Sequence, residues 1–159
     1  MNAALEKKKR RTNKALEVFR LKFAARSINE SFARTVTAAF VSRLDPTVSE
    51  LADLKTAVSE AVTNCIVHAY RDSRGSGEIQ LKGSIYADGK VVIEIKDRGC
   101  GIADVEEAMQ PLYTTEPENE RSGMGFTVMG AFCDGLKVRS KPGKGTVVVL
   151  TKRFGADEA

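Results

Sequence analysis

The chain has 159 residues, 42% of them hydrophobic and 29% charged, which suits one globular domain with its own core and requires no second. No apolar run approaches the ~18 residues needed to cross a bilayer, and the N-terminus has no signal-type stretch, so no membrane association and a cytoplasmic location are expected. Cys65, Cys100 and Cys133 are odd in number and lack CxxC spacing, which points to reduced thiols rather than a disulfide framework or a zinc site.

The net charge of +4 is unevenly spread. Lys7, Lys8, Lys9, Arg10, Arg11 and Lys14 against Glu6 give +5 within the first 14 residues, so the remainder sums to −1. A basic arm of this kind can meet nucleic acid or an acidic partner, although a solvated tail is the more ordinary reading. The expected organisation is a flexible arm over residues 1–16, one domain over 17–154 and a short tail over 155–159.

In chain order, residues 17–23 alternate apolar and polar and read as a half-buried strand. Asn29 or Ser31 can cap a helix that runs through Phe32, Val36, Phe40 and Leu44 and stops before Asp45-Pro46. Thr47 or Ser49 can cap a longer helix read from Val48 to Tyr70. At about 100° per residue, Leu51, Leu54, Val58, Ala61, Val62 and Cys65 form its apolar stripe, while Glu60, Asn64 and His68 gather on another face. Ala57 and Val67 flank those three polar groups, so the face looks covered, and a covered carboxylate needs a partner. A capped carboxylate and a satisfied core histidine are the plain alternative.

Residues 78–86 and 90–96 form a hairpin around Ala87-Asp88-Gly89. The second strand ends in Asp97-Arg98-Gly99-Cys100-Gly101. A short helix at residues 105–109 follows, then a flap-like stretch to Arg121. Ser122-Gly123-Met124-Gly125 opens a helix to about Phe132, and two strands, 136–140 and 146–154, close the domain. Strand, helix, helix, hairpin, flap, helix, hairpin is not the alternation of a doubly wound sheet. It predicts an α+β two-layer sandwich, a mostly antiparallel mixed sheet with three helices on one face and a pocket between helices and flap.

The chemistry of the glycine-flanked sites is phosphate-like. Gly123 and Gly125 allow close backbone approach at a helix N-terminus, whose free N–H groups and dipole favour an anion. Arg121 can add a bidentate donor. Asp97 accepts hydrogen bonds only and suits the exocyclic amine of adenine, unless it merely caps its turn. Asn64 offers an oxygen to magnesium, and Glu60, one helical turn earlier, can serve as general base. Together these parts describe a site for Mg-ATP.

Glu60-x3-Asn64-x3-His68, Asp97-x-Gly99-x-Gly101, Ser122-Gly-Met-Gly125 and Gly145-Thr146 resemble the N, G1, G2 and G3 boxes of the GHKL ATP-binding superfamily, which has the Bergerat fold. Asn29-Glu-Ser-Phe-Ala-Arg34, Leu44-Asp-Pro46, Ser59-Glu-Ala-Val-Thr-Asn64 and Gln110-Pro-Leu-Tyr-Thr-Thr115 narrow the resemblance to the sporulation anti-sigma-F family, over about Phe19 to Phe154. The basic arm has no counterpart in it.

That resemblance implies a serine kinase that also acts as an anti-sigma factor. Glu60 would be the catalytic base, Asn64 the magnesium ligand and Asp97 the adenine contact, supported by Thr146. Gly99, Gly101, Gly123 and Gly125 would shape the ATP/ADP site together with Ser122 and Met124. Thr114, Thr115 and Arg121 would belong to the ATP lid, and Arg34 to a partner surface. The implied partners are the sigma-F RNA polymerase sigma factor, a STAS-domain anti-anti-sigma factor and a second copy of the chain. A related stress-response kinase acting on a paralogous sigma factor is the alternative. A histidine-kinase domain would need a dimerisation helix with a phosphoacceptor histidine, and His68 is the only histidine.

Overall fold

The computed structural model describes residues 2–73, 76–111 and 124–155. Helix α1 spans Asn2–Thr12, strand β1 Glu17–Ala24, helix α2 Ile28–Val41 and helix α3 Val48–Asn64. Then come β2 Glu78–Ile85, β3 Lys90–Lys96, α4 Val105–Ala108, α5 Gly125–Phe132, β4 Gly135–Lys141 and β5 Gly145–Arg153. The strands lie in the order β1-β2-β3-β5-β4. All four pairings are antiparallel, so among the described residues the sheet is not mixed as expected.

Period-2 alternation decides which side of the sheet is covered. Leu21, Leu81, Ile95, Val148 and Val138 sit opposite one another across the five strands, and Ile93 and Leu150 pair in the next inward row. These residues pack beneath Ala33, Phe40 and Val41 of α2, Leu54, Val58 and Val62 of α3 and Met129 of α5. Their partners on the opposite face include Lys82 and Glu94, a cross-strand ion pair at 3.3 Å. The two-layer α+β sandwich is therefore the direct outcome of one apolar face per element.

Three local expectations change. The arm is helical over Asn2–Thr12, where Ala3, Ala4, Leu5, Glu6 and the lysines are all strong helix formers. Helix α2 starts at Ile28, before either proposed cap, with Ser27 preceding it and no side-chain cap bond. Asn29 instead donates to the Ala24 carbonyl at 2.8 Å, tying the helix to the end of β1. The long helix is also not α-helical throughout: after Asn64 the chain passes into a π turn, Cys65–Ala69, closed by Tyr70 N–H donating to Cys65 O. The hairpin and the remaining strands agree with the sequence within a residue or two, and a 3-10 turn, Ser42–Leu44, carries α2 on to the expected stop before Asp45.

Helix α3 starts at Thr47 with a complete capping box. The Thr47 hydroxyl accepts from Glu50 N–H at 3.1 Å, and Glu50 accepts from Thr47 N–H at 2.8 Å. Thr47→Ala should lower the unfolding free energy by about 1 kcal/mol in urea denaturation, with Thr47→Ser close to the native value.

Candidate functional site

A cavity of about 330 Å³ opens between the helix layer and the ends of the central strands β3 and β5. Asn64, Asp97, Gly101, Gly125 and Thr146 all line it, together with His68. Residues drawn from four separate stretches of the sequence thus meet in one place. Glu60 joins them from beside the cavity: a Cβ placed on Gly125 would lie 3.2 Å from Asn64 Oδ1 and 3.4 Å from Glu60 Oε2. The first turn of α5 therefore runs close to that amide and carboxylate, and a side chain at 125 would need them to give by a few tenths of an ångström.

Asp97 continues the inward phase of Val91, Ile93 and Ile95, which carries its carboxylate under the helices at 4% exposure. Its Oδ1 accepts from Gly99 N–H at 2.9 Å and from Thr146 N–H at 3.2 Å. Its Oδ2 accepts from the Cys65 thiol at 3.6 Å, a sulfur-length contact. Burial pushes this carboxyl above its ordinary range, while the Gly99, Cys65 and Thr146 donors pull it back. The Cys65 thiol is pushed well above its usual value, first by burial and then by the Asp97 charge, so it stands as a protonated donor.

The turn after Asp97 is fastened to the π turn. Cys100 N–H donates to Ala69 O at 2.8 Å, and the Cys100 thiol to His68 O at 3.4 Å. Gly99 is pressed against the Ala69 carbonyl so closely that no Cβ fits, which accounts for that glycine. Gly101 has a φ of +73° and backs onto the Lys141 carbonyl, and Gly145, with φ +96°, does the same against Asp97 O. Thr146 is held by its hydroxyl, 2.8 Å from Ser140 Oγ, and Ser140 also accepts from Ile102 N–H at 2.8 Å.

Met124 immediately precedes α5, and its carbonyl accepts from Val128 N–H at 2.9 Å. Arg34 is not part of the cavity; it lies on α2, 3.9 Å from Glu30. Thr114, Thr115, Arg121, Ser122 and Gly123 fall outside the described residues, as does most of the expected flap. Cys65, Ser140 and Tyr70 enter as supporting residues that the sequence did not single out. Their roles depend on contacts between residues distant in sequence, for which a single chain carries no signal.

Tyr70 is the hinge post of this arrangement. Its hydroxyl donates to Glu78 O at 2.6 Å and accepts from Arg98 N–H at 2.8 Å, joining the end of the π turn to β2 and to the Asp97 turn. Tyr70→Phe would strand both backbone groups and should cost about 1–3 kcal/mol of stability, with faster amide exchange at Arg98. Unchanged exchange there would remove Tyr70 from this role.

Residues 23–152 match the family of histidine kinase-like ATPase domains. A protein named anti-sigma F factor from Caldanaerobacter subterraneus subsp. tengcongensis is 60% identical over 135 residues, covering 85% of this chain and 92% of that one. A second, from Geobacillus kaustophilus, is 54% identical over 140 residues, 87% of this chain and 94% of its own. Among solved structures, the RsbU and RsbW domains of a Mycobacterium tuberculosis protein superpose with a TM-score of 0.63 at 19% identity, over 87% of this chain and 32% of that one. A SiaB–SiaC complex from Pseudomonas aeruginosa gives 0.56 at 13% identity, over 94% and 95%. At such identities the structural likeness speaks for the fold alone. The nucleotide-site boxes, the sandwich and the close relatives agree: the chain belongs to the histidine kinase-like ATPase family, in the branch whose curated members are named anti-sigma F factors.

Proposed function

We propose that this chain is an ATP-dependent protein serine kinase and anti-sigma factor. On this reading it holds sigma-F inactive as a nucleotide-bound homodimer and phosphorylates a serine of a STAS-domain anti-anti-sigma factor. The observation that carries the reading is the meeting of Asp97, Asn64, Glu60 and Gly125 around one cavity. The names of the relatives support the choice of partners.

The residues present fit Mg-ATP. Asp97 Oδ2 keeps acceptor capacity for the exocyclic amine of adenine, and Thr146 braces the same carboxylate through its N–H. Ile102 and Val148 provide apolar wall for a flat ring. Asn64 offers a side-chain oxygen for the metal, and the N-terminus of α5 at Gly125 offers free N–H groups to phosphate. Bound Mg-ATP would supply the phosphoryl group and neutralise charge on it. Phosphoryl transfer asks mainly for positioning and electrostatics, so a domain of this size suffices. Glu60 would take the proton of the acceptor serine hydroxyl from beside Asn64, and Thr114, Thr115, Arg121, Ser122 and Gly123 would complete the phosphate side.

Arg34 is proposed for the partner surface. It pairs with Glu30, and Glu30 Oε2 accepts from the Thr63 hydroxyl at 3.3 Å, next in the chain to Asn64. A partner engaging Arg34 would therefore pull on the helix that carries the metal ligand. The basic helix α1 has no assigned partner in this reading.

Incubation with Mg-[γ-³²P]ATP and a STAS-domain antagonist, followed by phosphosite mapping, should place label on a serine of the antagonist. Glu60→Gln should retain nucleotide and lower transfer by about 10²-fold or more. Equal transfer by Glu60→Gln would remove the base assignment. Absence of transfer by native protein that still binds nucleotide would leave an anti-sigma module without kinase activity.

A further inference from the structure

We propose that Cys65 is a positioning residue for base recognition, its thiol holding Asp97 Oδ2 so that the remaining lone pair of that oxygen selects an exocyclic amine donor. The inference rests on the nucleotide reading above and assigns a role that the boxes of the superfamily do not contain. A carboxylate offers about four acceptor positions. At Asp97, Oδ1 accepts two backbone N–H groups and Oδ2 accepts the thiol. One acceptor position is then left for the cavity, which both residues line.

The two N–H bonds anchor one oxygen but leave the carboxylate able to tilt about the Cβ–Cγ bond. The thiol supplies a third point and removes that freedom. Cys65 is suited to this because it is 3% exposed and opens the π turn, whose far end is bonded to the Asp97 turn through Ala69. Thiol, carboxylate and turn are thus held in one frame. The sulfur lies 3.6 Å from Asp97 Oδ2, and a carboxylate oxygen only accepts, so the thiol is the donor of this contact.

The test is calorimetric titration of Mg-ATP and Mg-ITP, whose 6-oxo purine lacks the amine, onto native protein and the Cys65→Ala, Cys65→Val and Cys65→Ser variants. Cys65→Ala and Cys65→Val should lower the preference for ATP over ITP by about three- to fivefold, through weaker ATP binding with ITP binding unchanged. Cys65→Ser, which keeps a donor, should recover at least half of the lost preference. The valine variant, which fills the site with apolar volume and no donor, keeps the comparison open if the alanine variant folds poorly. Native-like preference in both donor-less variants would overturn the proposal, as would an equal loss in all three, which would mark Cys65 as packing only. Native protein that binds neither nucleotide, or both alike, would instead overturn the nucleotide reading itself, and the proposal with it.

Discussion

One buried carboxylate fastens together parts of the chain that lie far apart in sequence. Asp97 is bonded to Gly99 in its own turn, to Cys65 on the π turn and to Thr146 at the start of β5. Its own N–H donates to Thr146 O at 3.0 Å, so the ladder of β3 and β5 runs directly into the site. Taking a carboxylate out of water costs several kcal/mol unless donors replace the lost solvent, and here three do. Much of the surrounding detail follows from keeping those donors in place: the glycines at 99, 101 and 145, the Ser140–Thr146 contact, and the bonds from Cys100 to the π turn.

The site divides its work between the two layers. The ends of the central strands β3 and β5 carry Asp97 and Thr146, and the inward residues of these strands are among the most deeply buried of the described residues. The helix layer carries Glu60, Asn64 and the first turn of α5, the groups suited to metal, phosphate and proton. Tyr70 and Ala69 link the layers through hydrogen bonds to Arg98 and Cys100, so the Asp97 turn is bonded to the end of the helical segment that carries Asn64. The path from Arg34 through Glu30 to Thr63 reaches α3 from the other side.

The strands were legible because one face of the sheet is covered and alternation records that directly, as in the Phe19, Leu21, Phe23 series of β1. Glu60 and Asn64 were legible as a pair because they are four residues apart on a regular helix, and their nearness at Gly125 agrees. His68 was placed by the same rule and lines the cavity, although the π turn between it and Asn64 changes the spacing that the rule assumes. The π turn itself left no mark in the sequence. Its carbonyls at His68 and Ala69 are turned to Cys100, a residue more than 30 positions away, and that tertiary demand outweighs local helix preference. Cys65 read as one more apolar residue of the stripe for the same reason, since its partner Asp97 is 32 residues away.

The role of Asp97 is tested most directly by titrating Mg-ATP and Mg-ITP onto native protein and Asp97→Asn. The Gly99 and Thr146 N–H groups need an acceptor, so the amide oxygen should take the Oδ1 place and its NH₂ the Oδ2 place. That donor would face the adenine amine and suit a 6-oxo purine instead. The account predicts that ATP affinity falls by roughly tenfold or more and that the preference shifts toward ITP. An Asp97→Asn protein that binds ATP as tightly and as selectively as the native chain would contradict it.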